Sequence, residues 1–443
     1  MVKVDQKQWR EFNPEVIYYC GKDSRIIDFI KKSEGWKDVI AVQKGRIYSF
    51  PCELTCRASV NAGYFIKWLF SSIYEEELFS STKLLYTEGI YSRRKIELPL
   101  TYVESAEIVY SKLKDYTSKA LLIRFKTPMN IVSTLEGQRT GIMTVGNHYL
   151  PPNLWSWAHR IGLEGSRDYV YKILRLNRAD SSLLFTGADM DNLAIVKKSF
   201  KAMSVYALVT AGVRSNAVRT SVDVGRFYEP GTINIILMTN MKLTPRAMTR
   251  AIITATEAKT AALQDLDIRS SQTPIESQAT GTGTDNIIVV QGTGYQIDNS
   301  GGHTKMGELI GNAVYDAVIQ AIKKQNGIEK DRDVFQRLLE RGISLYDVVF
   351  SARLPEDVNK KELLAKLEAL LLKPEYAGFM LTALELSNSK NNYLKESFKR
   401  WAENIVSEIK GKQAQVIPIV EKSKWPVPIK IAFDALIGGI IEN

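Results

Sequence analysis

Apolar and polar residues follow different patterns in three successive parts of this chain. In the middle part, short apolar runs lie between turns rich in Gly, Asn, Thr or Pro. The clearest runs are 119–135 (KALLIRFKTPMNIVSTL), 204–213 (SVYALVTAGV) and 232–239 (TINIILMT). Runs of this kind are typical of buried β-strands. We therefore predict a mixed sheet in the middle part.

Helical spacing appears at the end of the middle part and dominates the last part. Residues 245–265 form a predicted helix, with Thr244 as its N-cap and Pro245 at its first helical position. Small apolar residues on one face of this helix would let it pack closely against a sheet. Three further helical patterns follow: DVFQRLLERG, NKKELLAKLEALLLK and YLKESFKRWAENIVSEIKG. Gly342 and Gly411 lie at plausible helix ends.

The first part alternates strand and helix patterns. EVIYYC predicts a strand, SRIIDFIKKSEGW a helix, DVIAVQKGRIYSFP a strand, a turn and a strand, and residues 58–78 a helix. The predicted fold class is thus α/β. A mixed-sheet catalytic domain with helices (79–330) is preceded by a small α/β half-lobe (1–78) and followed by a mainly helical domain (331–443).

Composition excludes several classes of protein. Hydrophobic residues make up 45% and charged residues 24% of the 443 positions, which is typical of globular proteins. Neither a membrane-spanning run nor an apolar signal core is visible, so we expect a cytoplasmic protein. The net charge of +10 is not concentrated in a basic block, which argues against nucleic acid as a partner. The sequence leaves the oligomeric state open.

The cysteines are few and lie near the start of the chain, at Cys20, Cys52 and Cys56. Cys52 and Cys56 have the spacing of a metal-ligand pair, but no second pair follows them. Small buried side chains are the better interpretation.

Two glycine-rich turns enclose an apolar strand in GTGTDNIIVVQGTGYQIDNSGGHTKMGELIG. The first glycine turn (residues 281–285) leads into a strand and lacks the features of a dinucleotide-binding or P-loop sequence. The second glycine turn (residues 299–304) leads into a predicted helix, which places His303 and Thr304 at a helix N-terminus. Free backbone N–H groups there favour an anion or a developing oxyanion. Because a single strand separates the turns, we expect Asp285 and His303 to lie at the same edge of the sheet.

Five segments carry a resemblance to a known family. They are VTAGVRSNAVR, GTINIILMTNMKLTPRAM, ATEAKTAALQDLDIRS, ATGTGTDNIIVV and GGHTKMGELIGNAVYDAV. In order and wording they resemble the adenosylcobinamide amidohydrolase family of corrinoid salvage, over about residues 83–325. IVSTLEGQRTGIMTVGNHYLPPN resembles that family's early strand and Asn-bearing loop more loosely.

The resemblance implies hydrolysis of the amide that joins the aminopropanol arm to the corrin ring of adenosylcobinamide, which gives adenosylcobyric acid. Cobalt would enter with this corrinoid substrate, and we predict no cofactor bound by the protein itself. No protein metal site is predicted, because His148, His159 and His303 lack metal-ligand spacing. A corrinoid-binding or shuttling protein without turnover is the alternative.

Amide hydrolysis requires a nucleophile, a base, oxyanion donors and an acid for the leaving amine. We favour an activated water, with His303 or Glu308 as the base and Asp285 assisting. The backbone N–H groups of Gly301 and Gly302 would hold the oxyanion. A direct attack by the hydroxyl of a threonine in the first glycine turn stays open as an alternative; the candidates are Thr282 and Thr284.

Further candidates lie on the long helix and near turns. Glu257 is a second candidate catalytic carboxylate, and Lys259 lies two positions further on, pointing in a different direction. A solvated face would explain both residues equally well. The predicted substrate contacts include Lys259, Thr256, Thr304, Asn216, Asn234, Thr282, Thr284, Asn147 and His148. Asn and Thr side chains near turns also often just satisfy turn backbones. Asn147 and His148 are placed in a loop that allows a substrate contact, and a satisfied structural histidine is the alternative for His148.

The first and last parts resemble other families. FNPEVIYYCGKDS, VQKGRIYSFP and RASVNAGYFIKWL resemble the C-terminal lobe of substrate-binding proteins of iron-complex and cobalamin ABC transporters. We interpret this segment as a remnant or docking module; an active binding lobe and a wrong start codon are alternatives. It leaves open an association with cobalamin transport or salvage proteins.

The last part resembles the phosphatidylglycerophosphatase A type fold, which includes archaeal α-ribazole phosphate phosphatases. LLERGISLYDVVFSA, WAENIVSEIKGKQAQVI and AFDALIGGIIEN carry the resemblance. Where that family has paired acidic residues, Phe433 precedes Asp434 and Ala402 precedes Glu403. We therefore expect a degenerate structural domain, with a bifunctional hydrolase and phosphatase as the alternative.

Overall fold

The computed structural model describes residues 6–20, 29–50, 66, 69, 88–225, 231–388, 392–422 and 424–441. The chain divides into two compact units. One comprises residues 1–89, 112–117 and 151–173, and the other comprises 90–111, 118–150 and 174–443. The domain boundaries near 79 and 330 stay predictions.

The fifteen strands of the described chain are β1 Ile17–Cys20, β2 Ile47–Phe50, β3 Gly89–Lys95, β4 Val103–Leu113, β5 Tyr116–Ser133, β6 Gly137–Tyr149, β7 Ser181–Thr186, β8 Ala194–Phe200, β9 Met203–Ala211, β10 Ala217–Val218, β11 Ile233–Thr239, β12 Lys242–Leu243, β13 Gly281–Thr282, β14 Asn286–Val290 and β15 Gln296–Ile297. The helices are α1 Gln6–Phe12, α2 Ile40–Gln43, α3 Trp155–Leu174, α4 Pro245–Asp265, α5 Lys305–Asn326, α6 Val334–Glu340, α7 Leu345–Ser351, α8 Lys360–Leu371, α9 Pro374–Leu386, α10 Asn392–Lys410 and α11 Val427–Ile440.

In the first unit, β1 and β2 form a parallel pair. The strand predicted just before residue 44 is wrong, because Ile40–Gln43 form the short helix α2. The β-branched residues of this segment favour a strand. However, the N–H of Ala41 donates to the backbone oxygen of Pro14, and the Ala41 side chain is fully buried. The helix predicted at 58–78 lies mostly outside the described residues, as do Cys52 and Cys56.

The second unit is built around a nine-stranded mixed sheet. Its strand order is β3-β4-β5-β14-β11-β9-β8, and β6 pairs with both β5 and β7. β11 and β14 run parallel, with Asn234 opposite Asn286, whereas β9 pairs with β11 antiparallel. The predicted strands of the middle part are thus confirmed. So is the α/β fold class with a helical last part.

The sheet separates two hydrophobic cores. On one face, alternate residues of β9, β11 and β14 pack against α4 and α5. The other face packs against its own curled strands and the segment that precedes β4. The predicted start of α4 is confirmed: Thr244 is the N-cap and accepts a hydrogen bond from the N–H of Ala247, with Pro245 at the first position.

Helices α6 to α11 enclose a third core of their own. Gly342 and Gly411, both predicted at helix ends, have φ of 69° and 67°, the left-handed conformation that glycine adopts at low cost. In the part of the chain that the structure describes, no helix is long and apolar enough to cross a membrane.

Candidate active site

The first glycine turn lies where the parallel strands β11 and β14 begin. β13, in this turn, pairs with β10, so that Thr282 lies opposite Ala217. The N–H of Gly283 donates to the backbone oxygen of Asn216 at 3.1 Å. The turn, the Asn216 loop and the start of β11 therefore meet at one edge of the sheet.

Asp285 is the centre of this meeting point. Its carboxylate accepts hydrogen bonds from the backbone N–H of Thr282 (3.0 Å), the Thr282 hydroxyl (2.5 Å) and the backbone N–H of Ile233 (3.0 Å). It also contacts the ammonium group of Lys259. The side chains of Lys259 and Asp285 are only 9% and 15% exposed. Four donors thus satisfy the hydrogen-bonding capacity of this largely buried carboxylate.

Glycine is required at two positions of the turn because side chains approach its backbone. A Cβ at Gly281 would lie 2.5 Å from Asp285 Oδ2 and 2.7 Å from Lys259 Nζ. One at Gly283 would lie 2.8 Å from Asn216 Oδ1. The backbone therefore covers the ion pair closely on one side. Gly283 and Thr284 themselves are exposed, so solvent reaches the rim of the turn.

Thr284 and Asn216 lie at that rim, where Thr284 is exposed and Asn216 is only 7% exposed. The Asn216 amide donates to the backbone oxygen of Gly231 at 2.7 Å, and the Thr284 hydroxyl donates to the same oxygen at 3.0 Å. The Thr232 hydroxyl donates to the backbone oxygen of Thr284 at 2.5 Å. Both predicted substrate contacts thus lie beside Asp285, and each also holds the loop backbone.

A buried amide network lies beneath the rim. The Asn234 amide donates to Asn147 Oδ1 at 2.9 Å and to the Phe185 backbone oxygen at 2.8 Å, and the Asn147 amide donates to Thr210 at 2.8 Å. Asn147 and Asn234 are 2% and 1% exposed. Their hydrogen bonds are satisfied within the protein, so they support the rim from below.

His148 was predicted in a loop together with Asn147, and the structure corrects this, since both residues lie in β6. The strand is extended through its pairing with β5 and β7, and its side chains alternate between the two faces of the sheet. His148 is fully buried, with Nε2 2.6 Å from the Ser118 hydroxyl. Burial lowers its pKa to about 3, so it is neutral. This position gives no support to a substrate contact by His148.

The second glycine turn is anchored on α4 at a different place. The Thr254 hydroxyl donates to the Ser300 backbone oxygen at 2.9 Å, and the Ser300 hydroxyl donates to that of Ala247 at 2.5 Å. Thr304 is the N-cap of α5, as predicted, and accepts a hydrogen bond from the N–H of Gly307. A Cβ at Gly301 would lie 2.6 Å from the Arg250 guanidinium.

Several groups at the second glycine turn face solvent, although the Ser300 side chain is fully buried. Gly302, His303 and Glu308 are exposed. Glu308 forms a surface ion pair with Lys305 at 2.5 Å, one helical turn away. The candidate bases thus lie on an open surface, in contrast to Asp285. Of the two candidate oxyanion donors, the N–H of Gly301 donates to Asn299 Oδ1 at 3.0 Å.

The expectation that Asp285 and His303 share one edge of the sheet is wrong. Asp285 precedes β14 and the second glycine turn follows it, so the strand's length separates them. On helix α4, Lys259 contacts Asp285, whereas Arg250 lies beside Gly301. Nine residues of helix correspond to about 13 Å at 1.5 Å per residue. The sheet brings together the predicted residues of the first turn and excludes those of the second.

The other candidate residues lie on two different faces of helix α4. Lys259 is buried against Asp285, while Glu257 and Thr256 are exposed, and the Thr256 hydroxyl donates to the backbone oxygen of Ile252. The different directions expected for Glu257 and Lys259 are confirmed. Sequence reasoning did not single out Thr232, Gly231 or Arg250. Gly231 and Thr232 open the family-like segment GTINIILMTNMKLTPRAM, and Arg250 lies two residues beyond its end.

Asp434 is the predicted acidic residue of the last part that the structure places most clearly. Asp434 accepts hydrogen bonds from the backbone N–H groups of Ile419 and Val420 at 2.9 and 2.8 Å, and burial raises its pKa. Phe433 and Ala402 are fully buried. Among the residues that the structure describes, no three His, Cys, Asp or Glu side chains are placed to hold a metal. The geometry of Asp434 gives a phosphatase no support.

Comparisons with known proteins agree with the segments around this site. Residues 100–330 match the family model described as adenosylcobinamide amidohydrolase. A protein of Methanocaldococcus jannaschii described as uncharacterized is 44% identical over 233 residues, which cover 48% of this chain and 89% of that protein. The adenosylcobinamide amidohydrolase of Methanosarcina mazei is 32% identical over 149 residues, which cover 32% of this chain and 63% of that protein.

A solved structure, that of a Pyrococcus horikoshii protein, is 12% identical with a TM-score of 0.26, and the match covers 54% of this chain and 83% of that chain. The family match ends at residue 330, and the resemblances of the first and last parts are not confirmed by it.

Proposed function

Because the chain belongs to the adenosylcobinamide amidohydrolase family, we propose that it hydrolyses the amide between the corrin ring and the aminopropanol arm of adenosylcobinamide. Water is the second substrate. The products are adenosylcobyric acid, which carries the new carboxyl group, and the free amino alcohol. The family match over half of the chain is the observation that supports the reaction, and the name of the Methanosarcina mazei relative agrees with it.

The first glycine turn is the proposed reaction centre. Asp285, Lys259 and Thr282 provide a carboxylate, an ammonium group and a hydroxyl in mutual contact, beneath a turn whose rim is exposed. These are the group types that amide hydrolysis needs: a proton acceptor, a proton donor and a group that orients the attacking oxygen. At the second glycine turn the Glu308 carboxylate pairs with the Lys305 ammonium group on the exposed surface, and His303 is exposed as well.

Two charged groups carry out the proton transfers of the proposed reaction. Asp285 accepts a proton from water as the water oxygen bonds to the amide carbon. Lys259 stabilises the negative charge that develops on the carbonyl oxygen and gives a proton to the leaving nitrogen as the C–N bond breaks. The proton on Asp285 then passes to Lys259 across their contact, which restores both groups.

Thr282 donates its hydroxyl hydrogen to Asp285 at 2.5 Å. In the water mechanism it orients the carboxylate. The same contact would let Asp285 deprotonate the hydroxyl for a direct attack, which is the less favoured alternative.

The rim is proposed to bind the corrin periphery. That periphery carries neutral amides, which pair with hydroxyl and amide groups rather than with charges. Asn216 and Thr284 offer such groups beside Asp285. Asn234 and Asn147 beneath them keep the rim in place through their own satisfied hydrogen bonds.

Incubation of the full chain with adenosylcobinamide, followed by mass spectrometry, tests the proposal. We expect adenosylcobyric acid and aminopropanol in equal amounts, with one ¹⁸O in the new carboxyl group when the reaction runs in H₂¹⁸O. A folded protein that binds adenosylcobinamide but releases no product would refute the hydrolase and support the binding or shuttling alternative.

A further inference from the structure

A buried ion cluster joins the family-matched part of the chain to the helices that follow it. The Asp267 carboxylate accepts from Arg269 at 2.8 Å, from Arg337 at 2.6 Å and from Arg341 at 2.5 Å. A fourth guanidinium, that of Arg332, donates to the Asp267 backbone oxygen at 3.1 Å. Three of these arginines lie beyond residue 330, where the family match ends.

The charged groups of this cluster are buried and in direct contact with one another. The Arg341 side chain is fully buried and that of Asp267 is 8% exposed. Burial works to raise the pKa of Asp267, yet Arg341 and Arg269 hold it well below its usual range. Three guanidinium groups share this one carboxylate, so the loss of one arginine changes the charge balance and the positions of the groups that remain.

From this cluster, Arg269 holds a loop in shape. Its Nε donates to the backbone oxygen of Pro274 at 2.7 Å, and its Nη2 donates to that of Ile275 at 3.0 Å. Arg269 and Gln278 form a β-bridge at the base of this loop. Asp267 thus orients a guanidinium that closes residues 269–278 into a fixed loop.

That loop in turn holds the segment that contains Asn216. The Ser270 and Thr273 hydroxyls donate to the Asp223 carboxylate at 2.5 and 2.9 Å. The N–H of Ser271 donates to the backbone oxygen of Ala217 at 2.8 Å, and the N–H of Ala217 donates to the Ser271 hydroxyl at 3.1 Å.

The segment reaches the first glycine turn directly. Ala217 pairs with Thr282, and Asn216 accepts from the N–H of Gly283. A continuous series of contacts therefore runs from Arg341 through Asp267, the 269–278 loop and Ala217 to the proposed reaction centre.

We propose that Arg337 and Arg341, from the helical region, are positioning residues for the Asn216 segment. This inference rests on the proposed function for its effect on catalysis. The helices beyond residue 330 then complete the site without touching the substrate. A displacement of about 1 Å at a reacting group can lower a rate by about a hundredfold.

The test compares Arg341→Met with Phe379→Leu in the full chain. Phe379 is fully buried in the helical core and stacks on Phe398. Arg341→Met should lower kcat on adenosylcobinamide by about tenfold to a hundredfold, and Arg341→Lys should restore part of it. Phe379→Leu should lower the Tm but keep kcat. Where Arg341→Met does not fold, Arg337→Met at the more exposed side of the cluster takes its place.

Hydrogen exchange followed by mass spectrometry gives a readout without turnover. In Arg341→Met, peptides that cover residues 216–224 and 269–278 should exchange at least about tenfold faster, because the amides of Ala217 and Ser271 lose fixed partners. In Phe379→Leu they should exchange as in wild type. Unchanged exchange in Arg341→Met, or an equal loss of kcat in both variants, would overturn the positioning role. A wild-type protein without turnover would refute the proposed function. The hydrogen-exchange comparison would still test the positioning role of Arg337 and Arg341.

Discussion

The two glycine turns have similar compositions and lie on either side of the same strand, yet they differ in burial. The first brings Lys259 and Asp285 into a buried contact with Thr282. The second exposes His303 and holds Lys305 and Glu308 in a surface pair. Glycine and threonine content therefore does not identify a reaction centre. The neighbouring elements decide it: β10 and the start of β11 cover the first turn.

The difference has energetic consequences. Breaking a buried ion pair by removing one partner typically costs about 3–5 kcal/mol, whereas exposed pairs contribute about 0–1 kcal/mol. A buried pair next to an exposed rim can also act on a bound substrate at low local dielectric. Variants of matched residue types in the two turns should therefore have very different effects.

The largest effect is expected for Asp285→Asn. The amide keeps the shape of the carboxylate but cannot accept a proton, so kcat should fall by about a thousandfold or more, within the range of general base catalysis. KM for adenosylcobinamide should change little. Steady-state kinetics with circular dichroism as a fold control checks this, and a kcat within tenfold of wild type would exclude Asp285 as the base.

Lys259→Met and Lys305→Met form a matched pair. Lys259→Met leaves the buried Asp285 without its counter-charge and removes the proposed proton donor, so kcat should fall by about a hundredfold or more. Lys305→Met removes a surface pair with Glu308, which contributes about 0–1 kcal/mol to stability, and a contact of the ammonium group with the Phe200 ring at 4.7 Å. Equal losses of kcat in the two variants would end the distinction between the turns.

Thr282→Ala and Thr282→Ser separate two roles of the hydroxyl. If it orients Asp285, its loss should lower kcat by about tenfold, consistent with one hydrogen bond to a charged group, and serine should keep most of the activity. A loss with alanine as large as that of Asp285→Asn, together with a covalent acyl-enzyme in mass spectra, would favour direct attack by Thr282.

The buried His148 and the exposed His303 allow a prediction for the pH dependence of stability. The pKa of His148 is lowered to about 3 in the folded chain, against about 6.5 unfolded. Between these values only the unfolded chain takes up the proton, so stability falls as the pH falls below 6.5, by about 2 kcal/mol at pH 5. Urea unfolding at pH 7 and pH 5 should show this loss in wild type and in His303→Ala, and a smaller loss in His148→Gln. The same pH dependence in His148→Gln would refute it.

Elements with a strong local signal could be predicted from the sequence. Thr244 and Pro245 mark the start of α4, and the apolar runs mark β9 and β11, because capping and burial act over a few residues. The strand predicted just before residue 44 failed because the backbone of Ala41 bonds to Pro14, a distant partner that local propensity does not reveal.

The candidate site was only partly predictable for the same reason. The sequence motifs identified Asp285, Lys259, Asn216 and Thr282. They did not show that these residues lie close together in the fold. The Lys259–Asp285 contact joins residues 26 positions apart, and only the register of β11 and β14 sets the edge at which Asp285 lies. The spacing across β14 suggested a shared edge with His303, whereas a strand of five residues separates its two ends by about 16 Å.

The most direct test of the account is the ratio of kcat/KM for His303→Ala to that for Asp285→Asn, both measured on adenosylcobinamide with adenosylcobyric acid as the product. If the first glycine turn is the reaction centre, His303→Ala stays within about fivefold of wild type while Asp285→Asn loses about a thousandfold or more, a ratio that only a catalytic Asp285 explains. An inactive His303→Ala beside an active Asp285→Asn would contradict the account and place the chemistry at the second glycine turn.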